Sequence, residues 1–498
     1  MTNALRNVGT AVGSYLVFVG CAFVVRTAFV QSLDVEYLGL NGLFSTLANA
    51  MGAAEMGIGA AISFRLYGTL SRGQTAGSAR YFRFLRKVNL GLALGILVLG
   101  LLSVPVIGFF LQDVREIDEG VGALFVLYLA ATVVTYAFAH YGALLVADQR
   151  EYVVALNLAG LMILVSALQV LVLLQGHGYV AYLALQALLP LLQGVVLWLL
   201  VRRRYPWAAD ASVERLEPAD TAEVWRDVRA LAIFRVAGIV NASAPVLWMS
   251  SLFGLAVLGV FSNYYLIVHA AQSAVRKVFA ALTPSLGALN AVAGTRSKHE
   301  AYRALVFAGV VLFGASASGL HAGLDAFVQA WIGSRFVLEG TATLWLCLVF
   351  FLQGVTRVSN VFRDAFGLFR QGQLRPAVLA GLVVVLSLTG GQLFGLPGLL
   401  AGWALAYVLM PLWFDPLVVH RHALHAPVGP FFLRWAGWVA TVVVTYLALA
   451  RVVRVDVPLG LLGPLLEIGL TTAAVGLVTV LLWWRSAECR WLRRRLRR

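Results

Sequence analysis

The chain has 498 residues, of which 60% are hydrophobic and only 12% charged. With a mean hydropathy of +0.85, it is too apolar to be a water-soluble domain. The net charge of +15 would suit a nucleic-acid partner if it were clustered, but the arginines are dispersed over many short loops, the pattern that sets membrane topology.

Apolar runs of 20 residues or more match a hydrocarbon core of roughly 30 Å, which predicts an all-α polytopic membrane protein. Fourteen spans follow in chain order: 8–33, 38–62, 88–112, 121–146, 152–175, 178–201, 229–252, 256–275, 304–322, 338–356, 376–394, 397–419, 431–450 and 459–484. The apolar stretch 279–293 extends span eight, with Pro284 as a kink. Span one carries no small-residue cleavage site and reads as an uncleaved helix.

With the amino terminus in the cytoplasm, loop 63–87 is internal and holds Arg65, Arg72, Arg80, Arg83, Arg86 and Lys87. The next loop is external and acidic, with Asp113, Glu116, Asp118 and Glu119 against Arg115. All but six of the 38 Lys and Arg residues then fall on the internal side. Arg115, Arg335, Arg451 and Arg454 are external, and Arg26 and Arg235 are intramembrane, so both termini are expected in the cytoplasm.

Segment 1–201 is expected to form a six-helix bundle, 202–228 a cytoplasmic linker with Pro206 and Pro218, and 229–425 a second six-helix bundle. Segment 426–484 is an appended helix pair, and the basic tail 485–498 lies against anionic headgroups. A sequence echo supports duplication: Tyr37-Leu38-Gly39-Leu40 resembles Val257-Leu258-Gly259-Val260 at an offset of 220 positions.

Cys21, Cys347 and Cys489 show neither pairing nor metal-ligand spacing, and His420, His422 and His425 read as part of a solvated loop. No phosphate-binding loop, nucleophile motif or cofactor motif is present. The external loops are short, the longest running from His321 to Glu339, which leaves no room for a catalytic domain. These exclusions point away from an enzyme and toward transport.

Candidate site residues are the polar ones inside spans. A central arginine costs about 2.5–3.5 kcal/mol on insertion scales, so Arg26 needs compensation. It is compensated either by snorkelling or pairing with Glu55, or by an aqueous cavity in which its planar fork suits a phosphate. Arg235 sits early in span seven, while Arg65, Arg357 and Arg363 lie at span ends, as cavity-mouth cations or interfacial anchors. Asn41, Asn263 and Tyr264 either hydrogen-bond sugar hydroxyls or join helices. The excess of cations over carboxylates suits an anionic cargo.

The stretches Arg6-Asn7, Phe23 to Gln31, Glu36 to Phe44 and Glu55 to Ile62 resemble the polysaccharide-transport, Wzx-type branch of the MOP flippase superfamily. So do Ser262 to Ile267, Ala281 to Gly287 and Asp325 to Gly333. That superfamily also holds MATE exporters and lipid II flippases. The resemblance implies a V-shaped pair of pseudo-symmetric six-helix bundles that rocks between inward-open and outward-open states in a bacterial cytoplasmic membrane. Its implied cargo is an oligosaccharide on polyprenyl pyrophosphate, and its implied pathway partners are a polysaccharide polymerase and glycosyltransferases.

On that reading Arg26 and Arg235 contact pyrophosphate, Asn41, Asn263 and Tyr264 contact sugars, and Glu55 is an arginine partner or a coupling carboxylate. Two rivals share some of these features. A MATE-like cation antiporter would place carboxylates in its cavity, and a membrane polysaccharide polymerase or ligase would need a substantial external loop.

Overall fold

The structure, a computed structural model, describes residues 2–52, 58–110, 117, 119–209, 216–280, 286, 289, 294–368, 370–450 and 460–496. Glu55 and most of the 281–287 stretch lie outside the described residues. Among the described residues the secondary structure is helical throughout. Eleven helices are long and apolar enough to cross a membrane. In hydrocarbon only a helix satisfies every backbone N–H and C=O within one segment, so such apolar runs have no other stable local form.

Contacts divide the chain into two compact units, Met1–Gly259 and Val260–Arg498. The first unit holds α1 (Thr2–Ser32), α2 (Val35–Met51), α3 (Ile58–Ser71), α4 (Thr75–Ile107), α5 (Val121–Ala147), α6 (Glu151–Leu174) and α7 (Gly178–Arg204). It also holds the greater part of α8 (Pro218–Ala280), which joins it through the Ser250 hydroxyl donating to the Phe110 carbonyl at 2.6 Å. Within this unit α1 packs on α6, and α5 packs on both α4 and α7. Outward-facing Leu94, Leu102, Leu164 and Leu174 are exposed, as lipid-facing positions must be.

The second unit is built on α9 (Thr295–Ile332) and α10 (Ala342–Ala365), its most buried spans. Around them lie α11 (Arg375–Leu409), α12 (Pro411–Val419), α13 (Gly429–Leu449), α14 (Leu462–Leu482) and the tail helix α15 (Ala487–Leu496). Glycine lets helices approach: an added Cβ on Gly319 would meet the Ile468 carbonyl at 2.5 Å, so α9 and α14 touch backbone to backbone.

Two apolar stretches exceed one crossing, Arg235–Phe279 at 45 residues and Arg375–Leu424 at 50. Each is broken at a glycine in a conformation other residues rarely adopt, Gly254 (φ 80°, ψ 178°) and Gly395 (φ 67°, ψ −156°). The breaks fall in the gaps expected between spans seven and eight and between spans eleven and twelve.

Two expectations need correction. The loop expected from His321 to Glu339 is helical as far as Ile332, because its polar side chains find partners instead of ending the span. His321 Nδ1 lies 2.5 Å from the Tyr446 hydroxyl, and Asp325 is bonded by Tyr264 and Thr343. His420 is buried rather than solvated, its Nδ1 2.8 Å from the Pro416 carbonyl and its ring 4.9 Å from Phe431. The tail is a helix docked on the second unit: buried Glu488 pairs with Arg303 of α9 and, at 3.3 Å, with Arg434 of α13.

The echoed segments meet. A Cβ on Gly39 would lie 2.0 Å from the Leu255 carbonyl, and one on Gly259 would lie 2.3 Å from the Val35 carbonyl. Each residue of the first pair corresponds to one of the second at the same offset of 220, so the contact is reciprocal.

Gly39→Ala should lower the unfolding temperature of the purified protein, because the methyl group has only backbone to push against; overpacking of this kind costs about 1–3 kcal/mol. Gly95→Ala, with open space around the added atom, should be neutral or stabilising. Equal melting temperatures for the two variants would contradict the close crossing.

Candidate transport site

Arg26 lies in the last third of α1, half-buried, with Tyr179 and Tyr182 of α7 in its neighbourhood. The two tyrosines stack at 5.9 Å, an i,i+3 pair on one helix face, and Phe29 meets them edge-on at 5.8 and 5.1 Å. The Tyr179 hydroxyl donates to Asn41 Oδ1 at 3.2 Å. Tyr37, whose ring lies 5.2 Å from Tyr179, donates to Glu119 Oε2 at 2.5 Å.

The first unit thus brings Arg26 and Asn41 into one aromatic and hydroxyl-rich cluster, drawn from α1, α2 and α7. Sequence reasoning missed Tyr37, Tyr179 and Tyr182, although Tyr179-x-x-Tyr182 at the start of a span was a readable signal. Such an assembly joins a cation, hydrogen-bonding groups and ring faces, the groups used to hold phosphates and sugars.

The other candidates lie on other elements. Arg235 is exposed near the start of its span. Arg65 Nη1 pairs with Glu223 Oε2 at 3.0 Å, tying α3 to α8. Arg357 is exposed on α10. Glu55 lies outside the described residues.

In the second unit Asn263 and Tyr264 are fully buried. The Tyr264 hydroxyl donates to Asp325 Oδ1 at 2.7 Å and accepts from the Leu338 N–H at 3.2 Å, while Thr343 donates to the same carboxylate oxygen at 2.7 Å. Neither amide atom of Asn263 has a partner among the described residues. Asp325 is a carboxylate within a span that the sequence reading placed in a loop.

Arg363 is buried, and its Nη1 lies 3.0 Å from Asp415 Oδ1, while Arg375 Nη2 lies 2.7 Å from Asp415 Oδ2. The Asn360 amide completes the cluster when its nitrogen donates to Asp415 at 3.0 Å and its oxygen accepts from Arg375 at 3.1 Å. One fully buried carboxylate therefore holds two buried guanidinium groups and joins α10, α11 and α12. The Arg363 charge is committed to helix docking, and hydropathy gave no sign of Asp415 as its partner.

No family profile and no curated sequence matches the chain. Solved structures do. An inward-facing multidrug resistance MATE family transporter of the MOP superfamily aligns with a TM-score of 0.67 at 14% identity, over 80% of this chain and 95% of that one. The lipid II flippase MurJ in an inward closed conformation aligns with a TM-score of 0.67 at 13% identity, over 97% of this chain and 99% of that one. The Vibrio cholerae MATE transporter VcmN aligns with a TM-score of 0.58 at 15% identity, over 85% of this chain and 98% of that one.

Asp415→Ala strands two buried cations, which should cost about 3–5 kcal/mol and sharply reduce the yield of monodisperse protein on gel filtration. Asp364→Ala, whose carboxylate is 40% exposed and 3.8 Å from Arg363, should cost under about 1 kcal/mol. By these alignments the chain has the fold of MOP-superfamily transporters.

Proposed function

We propose that this protein is a flippase that carries a polyprenyl-pyrophosphate-linked oligosaccharide, a repeat unit of a surface polysaccharide, across the bacterial cytoplasmic membrane by alternating access. The observation that carries this reading is Arg26 in the neighbourhood of Tyr179 and Tyr182, with the Tyr179 hydroxyl bonded to Asn41. A half-buried guanidinium in a tyrosine-rich neighbourhood suits a pyrophosphate carrying sugars better than it suits an organic cation. Lipid II is itself a lipid-linked glycan, and its flippase aligns over 97% of this chain, against 80% and 85% for the two MATE transporters.

Fourteen crossings fit this reading. The eleven long helices include two of 45 and 50 residues that are broken at glycines, and α2 and α3 flank residues 53–57. The proposed organisation is a bundle at 1–201, a linker at 202–228, a second bundle at 229–425, an appended pair at 426–484 and a cytoplasmic tail at 485–498. Arg26 contacts pyrophosphate and Asn41 a sugar. Arg235 supplies a second cation, with Arg65 and Arg357 near the entrance and Glu55 as arginine partner or coupling carboxylate. Asn263 and Tyr264 are buried, so they reach the cargo only in another state of the cycle.

The polyprenyl chain stays in lipid while the head group crosses, so only the pyrophosphate and sugars need shielding. Arg26 offsets the desolvation of the phosphates.

A second reading, a cation-coupled exporter, is favoured by Asp325, a carboxylate within a span that accepts bonds from Tyr264 and Thr343. Cells lacking the protein separate the two readings. The flippase reading expects polyprenyl-pyrophosphate oligosaccharide to accumulate on the cytoplasmic leaflet, and wild type to clear it. Arg26→Ala should clear it at least about 10-fold more slowly, as loss of one charge-assisted phosphate contact implies, and Arg26→Lys should fall between the two. Normal clearance by both variants would remove Arg26 from the site, whereas an unchanged leaflet distribution with raised sensitivity to cationic drugs would favour the exporter.

A further inference from the structure

The inward end of the first unit carries a second polar cluster that the transport site does not use. A cleft of about 830 Å³ opens where α5 ends, α6 begins and α7 ends. Its lining combines apolar Leu145, Val153 and the partly exposed Leu200 with Arg150, Arg203 and Arg204. The same lining holds one carboxylate, Asp148, against these three arginines.

That carboxylate is already occupied. Asp148 Oδ2 accepts from Arg150 Nε at 2.7 Å and from the Tyr205 hydroxyl at 2.5 Å. Burial, reinforced by Asp148, pushes the Tyr205 hydroxyl up to about 12, so it remains a protonated donor at any physiological pH. The turn between α5 and α6 is fixed from α1: Asn7 Nδ2 donates to the Gln149 carbonyl at 3.3 Å, and Asn7 Oδ1 accepts the Tyr152 N–H at 3.0 Å. Gln149 stands in the left-handed region at φ 57°. Asn7, in the Arg6-Asn7 pair that the sequence comparison singled out, thus holds the turn in place.

We propose that this cleft binds the phosphate-bearing headgroup of an anionic membrane lipid from the cytoplasmic leaflet. The arginine side places it there, since basic loops mark the cytoplasmic face. Apolar side chains and arginines lining one cleft match the two chemistries of a phospholipid, acyl chain and phosphodiester. The cleft volume lies within the range that encloses a small ligand. Arg202, next in sequence, stacks on Trp198 at 5.7 Å and does not line the cleft, so it provides an internal control.

The test is native mass spectrometry of the full-length protein in detergent, titrated with phosphatidylglycerol or phosphatidylcholine. The wild type should retain phosphatidylglycerol preferentially. The pair Arg203→Gln and Arg204→Gln should weaken that retention roughly 25-fold, about fivefold per basic residue at an anionic surface. Arg202→Gln should leave it unchanged, and the corresponding pair of lysine substitutions should restore most of it. Equal retention of the two lipids, or an equal loss from Arg202→Gln, would overturn the proposal. Displacement of phosphatidylglycerol by millimolar inorganic phosphate would assign the cleft to a soluble anion instead. Wild-type protein labelled by a phosphatidylglycerol with a photoreactive acyl chain gives a readout independent of the variants. Labelling within 145–153 and 197–205 supports the site, and labelling confined to other segments refutes it.

Discussion

Hydrocarbon offers a polar group no partner, and that single constraint accounts for most of what is specific in this molecule. It forces the backbone into helices, and it favours charged side chains that find a complement within the chain. Asp415 beneath Arg363 and Arg375 and Asp325 under Tyr264 and Thr343 are both answers to it. Each draws its members from different helices. The same interactions that remove a solvation penalty therefore decide which helices are neighbours, a task the apolar surface performs poorly because lipid is as apolar as leucine.

Arg26 belongs to the same physics with a different outcome. Its neighbours are tyrosine rings and hydroxyls, and it remains half-buried where Arg363 is fully committed to a carboxylate. Asn41, oriented by Tyr179, adds a hydrogen-bonding group on an adjacent helix.

Hydropathy located two breaks, at Gly254 and Gly395, where the apolar runs pause, but read 63–87 as a loop where helices Ile58–Ser71 and Thr75–Ile107 meet. It failed where polar residues are satisfied by tertiary partners. His321 and Asp325 ended a span on the hydropathy count, yet α9 continues through both, since Tyr446, Tyr264 and Thr343 meet them. His420 looked solvated by its company of Arg421 and His422, but it packs against Phe431 and Tyr302. At the candidate site Arg26 and Asn41 were legible as polar residues in apolar runs. The tyrosines beside them were missed: Tyr179-x-x-Tyr182 was readable as a pair on one helix face, but its proximity to Arg26 and Asn41 depends on how the helices assemble. Arg363 shows the reverse: its type and position were read correctly, while its role depended on a carboxylate some fifty residues away.

The reciprocal crossing of Gly39 on Leu255 and Gly259 on Val35 carries a consequence for origin. Contacts in which residue i touches j and the equivalent of j touches the equivalent of i define an isologous interface, the kind formed by two copies of one subunit about a twofold axis. A single-repeat ancestor would have made this contact with a second copy of itself, and one glycine per copy would have sufficed to let the backbones approach. Fusion of two such copies would turn that dimer contact into an intramolecular one and release the two glycines from identity by symmetry. Both positions hold glycine in this chain, where each faces a carbonyl oxygen that leaves no room for a side chain.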